Sequence, residues 1–331
     1  MSCLPSKSEL FELATQEDVQ SRIVYSEDGS HYQAIYDDPD AWSEVTNYHP
    51  TLLVSDIEKW FPKAQQLLKS FPFVKSWRLD DLMISFAPQG ASVGAHTDHY
   101  DVFLIQISGS RQWSYDDEAT NNQAMVEDSE LSVLANYQAK NTTELHAGDI
   151  LYLPPNVAHH GVSTSNDCMT CSIGLRAPSD SEMVMALAEY VAQNNSQENR
   201  FLDQGDASNR HTFDAADVAQ FRRRIEQSID MDTSEWTLLF GQFISQYRQL
   251  DSFDLGHSGE PCVEHNKNSL RKSPFVNFSY IVNDEQALLF VNGEAFNCSR
   301  NTAELICQND SFLNNGDGVI QQLLDAEYVL A

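Results

Sequence analysis

Between residues 76 and 177 the chain consists of apolar or alternating runs, "WRLDDLMISFAPQG", "DVFLIQISGSRQWSYDD", "ELHAGDILYLPP" and "CMTCSIGLRAP", separated by Gly, Pro and Asp. Alternation with a period of two puts every second side chain on the same face of a strand. Several such strands in succession, with turn residues between them, give the pattern of an antiparallel barrel or jelly roll. Upstream, "SELFELATQED" reads as a helix, "SRIVYSEDGSHYQAIYDD" as a hairpin turning at Asp28-Gly29, and "IEKWFPKAQQLLKSF" as a helix started near Pro62.

Downstream the period becomes helical. "SEMVMALAEYVAQ" places Met183, Leu187, Tyr190 and Val191 at helix spacing, and "DTSEWTLLFGQFISQYRQL" does the same with Trp236, Leu239, Phe240, Phe243 and Tyr247. Asp232 with Glu235 makes a capping box for the second of these. Faces this aromatic are expected to be buried, either inside the domain or against a second copy of the chain. "DSFDLGHSGEPCVEHNKNS" reads as a linker. It leads to strands "FVNFSYIV" and "ALLFVNG", joined through Asn283-Asp284-Glu285, and to two short helices.

Composition narrows the function classes. With 331 residues, 41% of them hydrophobic, the chain can bury a real core and is expected to hold two or three domains. The first ten residues, MSCLPSKSEL, have no apolar core, and no apolar run approaches the roughly 18 residues a bilayer span requires. Six scattered cysteines, Cys3, Cys168, Cys171, Cys262, Cys298 and Cys307, do not make a disulfide framework. A soluble protein of the cytoplasm is expected, with no membrane partner. A net charge of −29 argues against direct nucleic-acid binding, which needs clustered Lys and Arg, and suits a basic protein partner or a surface adapted to salt or cold.

The candidate chemistry lies in "SVGAHTDHYD", just after a strand. His96 and Asp98, two apart on an extended segment, point to the same side and are able to hold a metal; the bland alternative is a wet polar turn. "GDILYLPPNVAHHGV" presents His159 and His160 some 60 residues later, at the end of another strand. Two ligands from one strand edge and a third from a later strand would form the two-histidine, one-carboxylate face that leaves positions open on Fe(II). Cys168 and Cys171 have CxxC spacing but no second pair, and on a strand they face opposite ways, so they read as buried thiols.

"LDDLMISFAPQGASVGAHTDHYDVFLIQISGSRQW", "GDILYLPPNVAHHGV", "CSIGLRAP" and "FGQFISQYR" resemble the bacterial JmjC-type ribosomal oxygenases, Fe(II)- and 2-oxoglutarate-dependent hydroxylases of an arginine in large-subunit ribosomal protein sixteen. The resemblance runs from about residue 18 to the C-terminus. It implies a mainly β fold with α elements: a JmjC-type double-stranded β-helix over residues 1–178, a helical dimerisation region over 179–250 and a winged-helix-like domain over 251–331. The strand region that precedes the first helix in longer relatives has no counterpart here, so part of the outer barrel is expected to be incomplete. The implied iron ligands are His96, Asp98 and His159, with His160 in the position between the last ligand and the glycine. Arg111 matches the residue that receives the far carboxylate of 2-oxoglutarate, and Ser85 is its hydroxyl partner. Arg offers that carboxylate a bidentate fork.

Asp81, Met83 and Ser85 alternate along "DDLMISF" and share a face. If Ser85 faces the co-substrate, Asp81 faces the same cavity about 13 Å along the strand. There it could hold a guanidinium, with Met83 against the aliphatic stem and Tyr100 closing the side; alternatively Asp81 caps a turn. The expected protein is therefore a homodimeric dioxygenase using Fe(II), 2-oxoglutarate and O2 to hydroxylate arginine at its β-carbon in a ribosomal protein. Hydroxylation of histidine in another ribosomal protein, or a non-catalytic JmjC-like binding module, are the alternatives.

Overall fold

A computed structural model of the chain describes residues 3–119, 124–195, 200–201, 213–246 and 269–330. The chain divides into two compact units, 1–177 and 178–331.

The first unit opens with the helix Lys7–Ala14, closed at its start by a reciprocal capping box between Ser6 and Glu9. Among the described residues ten strands follow: β1 Ser21–Ser26, β2 Tyr32–Tyr36, β3 Thr51–Val54, β4 Leu79–Ala87, β5 Asp101–Ser108, β6 Ser110–Tyr115, β7 Asn141–His146, β8 Ile150–Leu153, β9 His159–Ser163 and β10 Cys168–Leu175. They make a seven-stranded sheet in the order β2-β1-β3-β4-β10-β5-β8 and a three-stranded sheet in the order β7-β6-β9, with every pairing antiparallel. The expected hairpin forms between β1 and β2, with Gly29 at φ +78° in its loop. The chain leaves the large sheet for the small one at Gly109, whose φ of +61° and contact with Ser165 Oγ exclude a side chain.

The helix expected to start near Pro62 does begin there, with Pro at its first position, but it is short and its first turn is tight. One turn, Ile57–Trp60, is followed by a tight turn at Pro62–Ala64 and another short helix at Gln65–Leu68. Pro62 forbids helical geometry at the residue before it, and Phe61 accordingly sits at φ −123°, ψ 84°.

Pleating sorts the side chains of β4 as their alternation requires. Leu82, Ile84 and Phe86 enter the main core with Met169, Cys171 and Ile173 of β10 and with Leu10 and Ile57. Asp81, Met83 and Ser85 occupy the opposite face, in register with Ser172 and Thr170 of β10 beside Met83 and Ser85. A second core cluster, Val102, Leu104, Trp113, Leu145, Leu153 and Val157, joins β5 and β8 of the large sheet to β6 and β7 of the small one. Two sheets sharing one interior make the jelly-roll architecture.

The second unit holds the helices Asp180–Asn194, Ala215–Ser228 and Thr233–Gln246. The expected box at Asp232 is present: Asp232 N–H donates to Glu235, and Glu235 N–H donates back to Asp232 at 3.0 Å. The middle helix was not anticipated, although Asp214 and Asp217 box its N-terminus. The aromatic face of the last helix is divided. Ile244 is buried and Leu239 and Phe243 are half-buried, while Trp236 and Phe240 remain 44% and 53% exposed; Tyr247 lies outside the described residues. Cys262 and all but the last residue of the expected linker lie outside them too.

A small C-terminal module completes this unit. Strands β11 Ser269–Lys272, β12 Phe278–Asn283, β13 Gln286–Val291, β14 Glu294–Ser299, β15 Ser311–Leu313 and β16 Val329–Leu330 form two three-stranded sheets, β12-β13-β14 and β15-β11-β16. Helices Arg300–Gln308 and Gly318–Asp325 pack Ala303, Ile306, Ile320 and Leu323 onto Leu289 and Val291. Gly241 lets the helix Thr233–Gln246 lie directly on the ring of Phe290, which any Cβ would strike.

Candidate metal centre

The segment 92–96, after β4, runs antiparallel to β9 as an irregular edge, with bridges between Ser92 and Val162 and between His96 and His159. His96 N–H donates to His159 O at 3.0 Å and His159 N–H donates to His96 O at 2.9 Å. Residues paired in this way project their side chains from the same side of the ladder, so the two imidazoles meet, with ring centroids 4.3 Å apart. Asp98 is fixed beside them: its carbonyl accepts from Asn156 N–H at 2.7 Å, and Asp98 Oδ2 stands 3.6 Å from His159 Nε2. One ligand atom from each of His96, Asp98 and His159 lies within 4.8 Å of the others, close enough for one ion with bonds of about 2.1 Å to draw together.

The orientation of the rings supports this use. His96 Nδ1 lies 3.0 Å from Gly94 O, and His159 Nδ1 lies 3.0 Å from Val157 O. With Nδ1–H donated to a backbone carbonyl, Nε2 of each ring is the unprotonated nitrogen, which is the ligating form. Burial, and after it the neighbouring His96, holds the His159 imidazole well below its ordinary pKa and keeps it neutral. The adjacent histidine differs. His160 Nε2 is turned to Ser92 Oγ at 2.8 Å, away from the ligand cluster. His99, also near in sequence, pairs through Nδ1 with Asn156 Oδ1 at 2.8 Å.

Arg111 reaches the same interior from β6. The register Tyr115 to His159, Trp113 to Gly161 and Arg111 to Ser163 aligns these residues across β6 and β9. The Trp113 ring lies 5.8 Å from the His159 ring and 5.6 Å from the Arg111 guanidinium, linking the two ends of the site. Gly161 makes room for it, because a Cβ there would stand 2.7 Å from the Trp113 ring. Arg111 is 3% exposed, and its Nη2 is buried without a hydrogen-bond partner. A buried guanidinium nitrogen left unsatisfied is costly, and a ligand carboxylate is the group that satisfies it best.

The remaining candidates lie along β4 and at the start of β5. Ser85 is buried and donates to Thr170 O at 3.4 Å. Met83 joins the cluster of Val24, Tyr32, Leu53 and Val133, with Arg22 Nη2 at 3.9 Å from its sulfur. Asp81 and Tyr100 converge on Gly174 of β10: its Cβ position is 3.1 Å from Asp81 Oδ1 and 3.5 Å from Tyr100 Cε2. The structure therefore brings Asp81 and Tyr100 together at Gly174, and His96, Asp98 and His159 together as a cluster. Sequence reasoning assigned no role to Trp113, Gln106 or Thr170. Gln106 left a signal, since it is the polar residue in the inward phase of the apolar strand Val102, Leu104, Gln106.

Comparison with known proteins gives these positions a context. Residues 66–183 match the JmjC domain family. The ribosomal protein uL16 3-hydroxylase of Escherichia coli K12 is 33% identical over 247 residues, which is 73% of this chain and 65% of that protein. The X-ray structure of E. coli YcfD superimposes with a TM-score of 0.81 at 26% identity, covering 98% of this chain and 90% of that one. A structure of YcfD, described as a ribosomal oxygenase, in complex with cobalt and 2-oxoglutarate gives 0.77 at 25% identity over the same shares.

Proposed function

From a chain that carries a JmjC domain and resembles the bacterial ribosomal oxygenases in sequence and fold, we propose a metal- and 2-oxoglutarate-dependent protein hydroxylase. Its metal is Fe(II), held by His96, Asp98 and His159. Its co-substrate is 2-oxoglutarate, its oxidant O2, and its substrate an arginine β-carbon in a ribosomal protein of the cytoplasm. The observation that carries this reading is the buried Arg111 Nη2, unsatisfied and linked through Trp113 to a two-histidine, one-carboxylate cluster. A metal-binding module without catalysis has no use for an anion receptor at that point.

When bound, metal and 2-oxoglutarate would supply the oxidising chemistry, with one oxygen atom entering the substrate C–H bond while 2-oxoglutarate is converted to succinate and carbon dioxide. The chain's own contribution is placement. Two neutral imidazoles and one carboxylate leave a divalent ion a residual charge of about +1, which favours an anionic co-substrate. Arg111 receives the far carboxylate with Ser85 as hydroxyl partner. Trp113, Leu104 and Val102 wall the interior and exclude water, which strengthens each polar contact there. Asp81 and Tyr100 lie together beside Gly174, and an acid there can pair with a substrate guanidinium. Within the second unit, the proposal assigns 179–250 to dimerisation and 251–331 to a winged-helix-like domain.

Anaerobic addition of Fe(II) and 2-oxoglutarate should produce the weak visible charge-transfer band of the chelate, and an arginine peptide of the ribosomal protein should gain 16 Da in air. Absence of the band would leave the non-catalytic module as the better reading. A band without the mass gain on arginine, but with one on a histidine peptide, would move the substrate assignment.

A further inference from the structure

Arg111 is anchored through Nε, which donates to Cys168 Sγ at 3.4 Å. The same sulfur receives Gln106 Nε2 at 3.3 Å. Gln106 is itself fully buried and braced at both ends of its amide: Nε2 also donates to Ser108 O at 2.8 Å, and Oε1 accepts from Thr170 Oγ1 at 3.0 Å. Thr170 in turn offers its carbonyl to Ser85. A continuous polar chain, Ser85–Thr170–Gln106–Cys168–Arg111, thus crosses β4, β10 and β5 of the large sheet and reaches β6 of the small one. It connects both residues assigned to the co-substrate.

Guanidinium is a rigid planar fork, so holding Nε in one direction fixes the plane in which the terminal nitrogens lie. Sulfur suits this task because it is a weak acceptor: it orients the group without neutralising the charge, as a carboxylate there would. We propose that Cys168, braced by Gln106, is a positioning residue for the co-substrate, setting the Arg111 plane so that Nη2 meets the far carboxylate of 2-oxoglutarate. The inference rests on the reading of Arg111 given above.

The test uses the full chain loaded anaerobically with cobalt(II) and titrated by calorimetry with 2-oxoglutarate and, separately, with oxalate, which chelates a metal but has no far carboxylate. Cys168→Ala should raise the Kd for 2-oxoglutarate about five- to tenfold while leaving that for oxalate within about twofold, the size of one ordinary hydrogen bond lost to a weak acceptor. Cys168→Ser, whose hydroxyl can accept the same N–H, should recover part of the loss. Gln106→Met, which withdraws the brace at similar volume, should shift the 2-oxoglutarate Kd in the same selective way, and carries the test if Cys168→Ala does not fold. In turnover the KM for 2-oxoglutarate should rise with kcat at saturation unchanged. Equal weakening of both ligands, or an unchanged Kd for 2-oxoglutarate, overturns the proposal. If the wild-type protein binds cobalt and oxalate but not 2-oxoglutarate, the reading of Arg111 falls first and this inference with it.

Discussion

Each candidate ligand histidine divides its two ring nitrogens between tasks, Nδ1 to a backbone carbonyl and Nε2 to the cluster. His160, one residue from His159, has its Nε2 directed to Ser92 instead, because adjacent residues on β9 project to opposite faces. Replacing His96, Asp98 or His159 by Ala should therefore abolish cobalt binding and 2-oxoglutarate turnover, whereas His160→Ala should retain most of both. A dead His160→Ala beside an active His159→Ala would reverse the assignment. Asp81 is tested through its charge. Asp81→Asn keeps the volume beside Gly174 and Tyr100 but removes a charge-assisted pairing of roughly 1.5 to 3 kcal/mol, so hydroxylation of an arginine peptide at limiting concentration should slow about ten- to a hundredfold. Decarboxylation of 2-oxoglutarate without peptide should survive, as Arg111 and the ligands are untouched. Loss of both activities would make Asp81 a structural residue, and loss of neither would remove it from the substrate site.

At the scale of elements, β4 has an unequal border. On its β3 side the ladder pairs only Phe86, Ser85 and Ile84, and the N–H of Leu82 donates to the Glu58 carboxylate at 3.0 Å instead. Glu58 is buried, and burial pushes its carboxyl up to about 8, against an ordinary value of 4.5; Lys59 opposes the rise and Asp56 adds to it. The folded protein thus holds this proton more tightly than the unfolded chain does. Its contribution to stability is fully present below about 4.5 and is lost as the pH rises toward 8. Glu58→Gln, which can keep an acceptor for Leu82, should match the wild type near pH 4.5 and exceed it by roughly 3 to 5 kcal/mol at pH 8 and above in denaturant unfolding. A pH-independent difference would mean that Glu58 is charged in the fold. Nothing local in "SDIEKW" distinguishes this glutamate from a solvated one. The facing of Asp81, Met83 and Ser85 was legible because alternation is a property of one strand. The bonds among Gln106, Cys168 and Arg111 join residues 57 and 62 positions apart, and depend on how two sheets face each other. The helix start at Pro62 was legible for a local reason, since proline restricts the residue before it, here Phe61. The helix Ala215–Ser228 carries a weak apolar signal, because the run of three arginines between Phe221 and Ile225 interrupts its apolar spacing.

On the scale of the whole molecule, two properties pull assembly in opposite directions. Met183, Val184 and Met185 on one helix, Val218, Phe221 and Ile225 on the next, and Trp236 and Phe240 on the third are all exposed within the second unit. In the homodimer proposed above, a self-complementary contact about a two-fold axis would cover such side chains with no further partner. Each chain also carries a net charge of −29, so two copies repel at long range. Salt screens that repulsion, with a Debye length falling from about 30 Å at 0.01 M to about 10 Å at 0.1 M, while apolar burial is not screened. Dimerisation should therefore tighten as salt is added, opposite to the behaviour of an interface made by ion pairs. Sedimentation at micromolar protein should show a dimer whose dissociation constant falls with ionic strength, and Phe240→Asp should shift the population toward monomer by adding like charge at the apolar centre. A wild-type monomer at every salt concentration would sink the dimer, and a dimer that loosens with salt would move the interface from these helices to a charged surface.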